Sequence, residues 1–161
     1  MVRLLELGLV ERRFPLRRVL GTVQRELGER LAAPPGDRRG GPATVLVQAL
    51  AAPRLVRRLG AGAFWPPPEV DSVVLRLEPL PVERRLAASS PAVWQRFAAL
   101  VRGLYRYRRK SLRQALGCAL PGTEPEAALR AAGLGGRHAS GGAGAGGLRK
   151  ARRGAGLRRI P

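Results

Sequence analysis

Two stretches of the sequence combine residue types that could bind a nucleic acid, and the first is built around an aromatic pair. The stretch FWPPPEVDS at residues 64–72 places Phe64 and Trp65 directly before three prolines. Consecutive prolines hold an extended path, and a residue before proline is kept out of helical geometry. A ring held this rigidly could stack on a flat base, which makes Phe64 a candidate base-stacking residue. The alternative is a proline-rich link between two strands, with its aromatic residues in the core or at its rim.

The second stretch is strongly basic. Residues 84–123 contain nine Lys or Arg and no Asp or Glu. Four of the arginines follow one another at spacings of four, three and four, which predicts that they share one face of a helix. Such a face can pair with successive phosphates, although the usual fate of a charge run is a solvated surface. The candidate phosphate-binding residues are Arg102, Arg106, Arg109 and Arg113 on that face, with Arg108 and Lys110 beside it.

Other residue types that carry chemistry form no convincing site. The stretch GAGAGG at residues 142–147 matches the G-x-G-x-x-G pattern of nucleotide loops, but it follows no strand and opens no helix. The only histidine, His138, has no partner set, and the only cysteine, Cys118, is expected to be a small core residue. No carboxylates are spaced for acid–base work. We therefore expect no catalytic, cofactor-binding or metal-ligating residue in this chain.

Composition points to a polyanionic partner. The 161 residues carry 30 basic and 11 acidic side chains, a formal net charge of +19. This balance favours nucleic acid as the partner, although GC-rich coding DNA also produces an arginine-rich chain. No stretch of about eighteen apolar residues is present, so no membrane span is expected.

The elements that must position these residues divide the chain in three. Branched and apolar runs predict strands at 16–23, 55–59 and 73–77, and helical spacing predicts helices at 2–10, 24–33 and 43–51, the last with a strand as the alternative. This alternation indicates an α/β layer over residues 1–81. From residue 89 to residue 134 the pattern is helical, with Ser89 or Ser90 as an N-cap. Residues 135–161 hold nine Gly and seven basic residues, and we expect them to be disordered.

Four segments, in this order, resemble one enzyme family, the small-subunit ribosomal RNA adenine N6,N6-dimethyltransferases. The segment FWPPPEVDSVVLRL at 64–77 is similar to the family's F-x-P-P-P-x-V-D-S-x-V-x-x-L. Upstream, VQRELGERLA at 23–32 and VLVQ at 45–48 resemble its V-Q-K-E-V-A-E-R-L and S-V-L-V-Q segments. Downstream, YRRKSLRQAL at 107–116 resembles Q-R-R-K-T-L-R-N-x-L. The resemblance extends over residues 3 to 134.

The resemblance implies a fold, a reaction and a role for Phe64. The fold would be the C-terminal part of a Rossmann-like methyltransferase domain, followed by a small helical RNA-binding domain. The reaction would move two methyl groups from S-adenosylmethionine to N6 of each target adenine in ribosomal RNA of the small subunit. Phe64 would stack on the flipped adenine. The protein would act as a cytoplasmic monomer on the small ribosomal subunit, without a metal.

Departures from the family pattern lead to further expectations. The family's glycine-rich cofactor loop, its ribose-binding acidic residue and its N-L-P-Y motif have no counterpart here. We therefore expect the C-terminal half of an enzyme, without its own S-adenosylmethionine site and inactive alone. The Gly/Arg tail also replaces the family's usual acidic, apolar helix. Two alternatives stay open: a non-catalytic RNA- or ribosome-binding module, and a basic, partly disordered protein with no specific site.

Overall fold

The computed structural model describes residues 1–85 and 90–134. The predicted tail at 135–161, with His138 and the GAGAGG stretch, lies outside the described residues, as does Ser89. The described chain groups into two units, one of residues 1–33 and 39–98, the other of residues 34–38 and 99–134. The predicted domain limits at 81 and 89 stay predictions.

The first unit is built on a three-stranded sheet. Its strands are β1 (Val19–Gln24), β2 (Ala51–Leu59) and β3 (Ser72–Pro79). The order is β1-β3-β2 and both pairs are antiparallel, so β3 is the last strand in sequence and the middle one in space. The three predicted strands are confirmed, although β2 begins four residues before the predicted strand, at Ala51, which was expected to be the last residue of a helix.

Helices form the rest of this unit. Helix α1 (Val2–Leu5) continues into a π-helical turn at Glu6–Val10, and α2 (Arg25–Leu31) and α3 (Pro42–Gln48) follow. Short 3₁₀ turns lie at Ala61–Ala63 and Val82–Arg84. All three predicted helices are confirmed, and the strand alternative for residues 43–51 is wrong over Pro42–Gln48.

Every second side chain of β3 from Val73 to Leu77 is buried, and these buried side chains define the core face of the sheet. Val73, Leu75 and Leu77 are each at most 1% exposed, while the residues between them are only half-buried. Helix α2 lies close against this face, since a Cβ atom added to Gly28 would overlap Val73 Cγ1. Of the two leucines one turn apart on α2, Leu31 is buried and Leu27 is 41% exposed.

Two polar side chains of α3 tie it to the end of α2. Thr44 Oγ1 donates to the Arg30 carbonyl at 2.9 Å, and Gln48 Nε2 donates to the Leu31 carbonyl, also at 2.9 Å. The last carbonyls of a helix have no partner within the helix. Thr44 and Gln48 satisfy two of them, so the turn between α2 and α3 is fixed by side chains.

The remaining helices are α4 (Pro91–Arg106), α5 (Leu112–Ala119) and α6 (Pro125–Ala131). The Val93 amide donates to Ser90 Oγ at 3.2 Å, which confirms Ser90 as the cap of α4. In the second unit the buried side chains come from all three helices: Val101, Leu112, Ala115 and Leu129. The predicted burial of Cys118 is wrong, since this residue is exposed on α5. Among the described residues, no helix is both long enough and apolar enough to cross a membrane.

Candidate nucleic-acid interface

Phe64 lies at the start of the connection between β2 and β3. After β2 ends at Leu59, a 3₁₀ turn forms, in which the Ala63 amide donates to the Gly60 carbonyl at 3.0 Å. The Phe64 amide then donates to the Ala61 carbonyl at 3.2 Å, so its backbone is held before the proline run begins. The ring is half-buried, whereas the neighbouring Trp65 is 94% exposed. The two aromatics therefore have different surroundings, which allows one to serve as a control for the other.

The far end of this connection is anchored to the start of α2. The Arg25 amide donates to the Asp71 carbonyl at 2.9 Å, and the Arg25 guanidinium lies 3.7 Å from the Asp71 carboxylate. Ser72 then pairs with Gln24 in the sheet. Because both ends of the connection are held, Phe64 lies on a short span between fixed points.

A shallow groove of about 360 Å³ lies beside this anchor, lined by α2 and by residues 69–71. Its carboxylates are largely neutralised, since Glu26 pairs with Arg30 at 2.7 Å and Asp71 pairs with Arg25. Glu69 is exposed and forms no ion pair with any residue in the described ranges. The groove therefore offers acceptors, such as a base amino group could use, rather than a phosphate site.

The prediction that the basic residues share one helical face is wrong, because the structure has two helices separated by a turn where one continuous helix was predicted. Helix α4 ends at Arg106, and the Lys110 amide donates to the Tyr107 carbonyl at 2.8 Å across a turn. Helix α5 begins after Ser111, whose Oγ accepts from the Gln114 amide at 3.3 Å while its own amide donates back to Gln114 Oε1. This capping box starts a new helix, so the six basic residues do not share one helical face.

The structure distributes these basic residues over three short segments. Arg102 and Arg106 lie one turn apart on α4, Arg108 to Lys110 lie in the turn, and Arg113 lies in the first turn of α5. All six are exposed. We call this set the basic turn cluster. It belongs to the second unit, whereas Phe64 belongs to the first.

Members of the basic turn cluster differ in whether they form an ion pair with an acidic side chain. Arg113 pairs with Glu126 at 2.8 Å, and Glu126 is also 4.0 Å from Arg130. Lys110 Nζ lies 5.6 Å from the centre of the Tyr107 ring. Four other members form no ion pair with any residue in the part of the chain that the structure describes: Arg102, Arg106, Arg108 and Arg109. These four are the ones available to bind phosphates.

Tyr105 lies beside this cluster on α4. It is half-buried, and desolvation by burial raises the pKa of its hydroxyl above the ordinary value. A tyrosine hydroxyl is protonated at neutral pH even at its ordinary pKa, so Tyr105 can donate a hydrogen bond there.

Sequence patterns missed a second group of arginines, in the first unit. Arg12, Arg13 and Arg85 line one cleft although 72 residues separate Arg13 from Arg85 in sequence. The RRF tripeptide at 12–14 is a signal that could have drawn attention to one side of this cleft. No local pattern connects it with residue 85. Within the described ranges, no three His, Cys, Asp or Glu side chains lie close enough to hold a metal ion.

Comparison with known proteins decides the family. The family model described as ribosomal RNA adenine dimethylase matches residues 1–137 of this chain. The chain belongs to this family. Ribosomal RNA small subunit methyltransferase A of Anaeromyxobacter dehalogenans is 46% identical over 121 residues, which cover 73% of this chain and 40% of the relative. The probable ribosomal RNA small subunit methyltransferase A of Thermococcus gammatolerans is 42% identical over 93 residues, 58% of this chain and 31% of the relative.

Solved structures support an α/β methyltransferase-like fold for this dimethylase family member. A dimethyladenosine transferase from Plasmodium falciparum superposes with a TM-score of 0.58 at 25% identity, over 68% of this chain and 38% of that one. The 23S rRNA methyltransferase ErmE superposes with a TM-score of 0.54 at 22% identity, which supports the fold alone. The chain spans well under half the length of the first curated relatives it matches, 31% and 40% for the two above.

Within the described residues of this chain, no strand passes through a glycine-rich turn into an α-helix. A methyltransferase cofactor such as S-adenosylmethionine is held where a strand passes through a glycine-rich turn into a helix. Here β1 passes directly from Gln24 to Arg25 of α2, and β2 passes into a 3₁₀ turn and then the proline run. Neither junction is a glycine-rich turn that opens an α-helix, because Gln24 leads directly into Arg25 and the turn with Gly60 and Gly62 leads into the proline run, so no chemical step is assigned to the cofactor on these residues.

Proposed function

We propose that this chain acts in the N6,N6-dimethylation of adenine in small-subunit ribosomal RNA, and that its part is to hold the RNA. The observation that carries the proposal is the anchoring of Phe64 between the 3₁₀ turn at Ala61–Ala63 and the pairing of residues 71 and 72 with the start of α2. A fixed aromatic ring followed by prolines is suited to support an unstacked base, and the family match extends over it.

Each residue set has a distinct part in this proposal. The Phe64 ring stacks on the target adenine, and a base–aromatic stack contributes roughly 1–3 kcal/mol. The free members of the basic turn cluster pair with phosphates and set the orientation of the RNA. Arg113 contributes less, because Glu126 already neutralises it. S-adenosylmethionine supplies the methyl groups, and we assign its site to the portion of the family that this chain does not match. We further propose that the protein works in the cytoplasm as a monomer.

A chimera tests the proposal most directly. The matching 121-residue stretch of the Anaeromyxobacter dehalogenans relative is replaced by the corresponding residues of this chain. Labelled S-adenosylmethionine and unmethylated small ribosomal subunits are then supplied. We expect label at adenine N6, and loss of most of it when Phe64→Ala is introduced. Cofactor binding by the chimera, measured separately, verifies that it has folded. A folded chimera that binds cofactor and methylates nothing would contradict the proposal.

The non-catalytic alternative makes a different prediction in the same assay. An RNA- or ribosome-binding module would retain affinity for the small subunit while its chimera transferred no methyl groups. The exposed basic turn cluster is the observation that favours this alternative, because it needs no cofactor to bind RNA. For the chain alone, we expect RNA binding without methyl transfer. Stoichiometric label on adenine N6 from the chain alone would contradict that expectation.

A further inference from the structure

A cleft lies at the end of the sheet opposite the Phe64 connection. In the antiparallel pair, Val19 at the start of β1 faces Leu77, whereas Gln24 at its other end faces Ser72. The cleft, of about 640 Å³, is formed by the chain leading into β1 and the chain following β3. Ligand sites have volumes of about 300–1,000 Å³, so this cleft can hold a small ligand or one unit of a polymer. The proposed methylation site uses none of its residues.

The cleft combines cationic and apolar side chains. Its cationic residues are Arg12, Arg13 and Arg85, and its apolar ones include Phe14, Leu16 and Val82. Phe14 is 37% exposed and Val82 is 52% exposed, so apolar surface faces solvent here. This pairing of charge and exposed apolar surface suits a ligand with an anionic part and a flat apolar part.

Gly8 fixes the aromatic side of the cleft. A Cβ atom at this position would lie 2.7 Å from Leu16 Cβ and 3.1 Å from Phe14 Cε2. The chain at 14–16 therefore closes directly over the glycine, and a larger residue would push both side chains away. The Phe14 ring is held at one edge while part of it stays open to solvent.

Arg12 has a backbone conformation that its own side chain disfavours. Its φ angle is +53°, in the left-handed region, where a residue with a Cβ is less stable by about 1–2 kcal/mol than glycine would be. The Arg12 side chain is exposed and forms no ion pair or side-chain hydrogen bond within residues 1–85 and 90–134. The left-handed backbone at Arg12 ends the preceding helical turn, with the Arg13 amide donating to the Leu7 carbonyl at 2.9 Å, and it leaves the Arg12 side chain free to bind a ligand.

The other two arginines keep part of their charge available. Arg85 Nε donates to the Leu80 carbonyl, which orients its guanidinium and leaves the terminal amino groups free. Arg13 lies 3.5 Å from Glu11, but Glu11 also pairs with Arg3, so one carboxylate is shared by two arginines. The cleft is therefore net positive.

We propose that this cleft binds one nucleotide of single-stranded RNA, with its phosphate on Arg12 and Arg85 and its base against Phe14. The proposal rests on the proposed function, because it takes the substrate to be RNA, and it adds a second contact far from the target adenine. A duplex stacks its base faces against one another, whereas a single strand exposes base faces that an aromatic ring can contact. The exposed Phe14 ring therefore favours a single strand. Binding should show little preference among bases, since every base has a face to stack.

The first experiment compares two double variants of the full 161-residue chain. Arg12→Ala with Arg85→Gln removes charge from the cleft, and Arg17→Ala with Arg84→Gln removes the same charge from exposed neighbours that do not line it. Affinity for a fluorescent hexauridylate is measured by anisotropy. We expect about a tenfold loss for the cleft variant, as removal of charged hydrogen bonds implies, and less than twofold for its neighbour. Equal losses would overturn the proposal, because general charge would then explain the binding.

The second experiment tests the base contact. Phe14→Leu keeps apolar volume over Gly8 but removes the aromatic face, and Phe14→Tyr restores that face. We expect Phe14→Leu to weaken hexauridylate binding at least fivefold, Phe14→Tyr to restore it, and an abasic oligomer of equal length to bind both variants alike. Photocrosslinking of 5-iodouridine RNA, read by mass spectrometry, should label residue 14. Crosslinks confined to other segments, or no effect of Phe14→Leu, would refute the site.

Arg12→Gly separates binding from folding at a single position. It relieves the left-handed backbone and removes the guanidinium, so we expect a higher thermal midpoint together with weaker RNA binding. A lower thermal midpoint would show that Arg12 serves the fold and would count against the proposal. None of these measurements uses methyl transfer. If the chimera transfers no methyl groups but RNA still crosslinks to residue 14, the methylation proposal fails and the cleft site is supported. If the chimera methylates RNA but no crosslink forms at residue 14, only the cleft site is refuted.

Discussion

The indole of Trp94 donates a hydrogen bond to the Glu6 carboxylate, with 3.0 Å between Nε1 and Oε1 and 88 residues between the two positions. Trp94 is 3% exposed, and Glu6 is also 3.6 Å from Arg3. This contact joins the first turn of α4 to the π-helical turn after α1, and both lie in the first unit.

Removing the indole donor should destabilise the first unit. Trp94→Phe leaves the Glu6 carboxylate without a buried partner, and we expect the free energy of unfolding to fall by about 2 kcal/mol. Glu6→Gln keeps an acceptor for the indole and should lose less than half as much. Urea unfolding followed by circular dichroism measures both. An equal loss in the two variants would show that packing, not the hydrogen bond, supports Trp94.

Gly28 offers a sharper test of packing. Alanine is favoured over glycine in a helix by about 1 kcal/mol, but a Cβ here would overlap Val73, which is 1% exposed. The overlap should dominate, and we expect Gly28→Ala to lower stability by roughly 1–3 kcal/mol. Combining it with Val73→Ala should cost less than the sum of the two single changes. Gly21→Ala is the control, because nothing lies within 4 Å of its added Cβ.

Replacing Phe64 and replacing Trp65 should have different effects in the methylation assay of the chimera. Phe64→Ala removes the proposed stack on the adenine, and we expect kcat/KM to fall roughly 5- to 150-fold while RNA affinity changes less than threefold. Trp65→Ala, at a side chain that is 94% exposed, should leave both quantities within about twofold of the starting protein. If affinity and kcat/KM fell together for Phe64→Ala, the ring would serve the fold or general RNA binding instead.

The basic turn cluster should determine the salt dependence of RNA binding. With about four phosphate contacts, the slope of log affinity against log salt is expected near −3 to −4. Arg106→Gln with Arg109→Gln should flatten that slope by about 1.5, since each lost contact removes 0.7 to 0.9. Arg113→Gln with Glu126→Gln removes an ion pair without changing net charge and should leave the slope unchanged. If Arg106→Gln with Arg109→Gln left the slope unchanged, these two arginines would belong to a solvated surface that does not bind phosphates.

Most elements of the first unit could be predicted because their signals are local. Branched residues marked β1 and β3, and proline and glycine marked where α2 stops. The central position of β3 could not be predicted, because antiparallel pairing with both β1 and β2 depends on contacts 13 to 58 residues away in sequence. The close approach at Gly28 depends on the same long-range packing.

The break between α4 and α5 was missed for a different reason. Residues 107–110 contain neither proline nor glycine, so the spacing of the arginines predicted one continuous helix across them. The signal was instead the S-x-x-Q pattern from Ser111 to Gln114, a capping box that competes with helix continuation. Cys118 was misplaced because a single small residue carries no periodicity of its own, and only packing decides which side of α5 faces solvent.

The position of β3 in the sheet also sets an order of assembly. β1 and β2 share no hydrogen bonds, because β3 lies between them. On a ribosome, where the N-terminal end emerges first, β1 and β2 therefore cannot pair with β3 until residue 79 has left the exit tunnel. Phe64 lies on the connection that this last strand pulls into place, so the base-stacking ring acquires its position only in the closing step. A slow or failed insertion of β3 would leave two bare strand edges and a mobile aromatic pair, a combination that invites aggregation before any RNA is met.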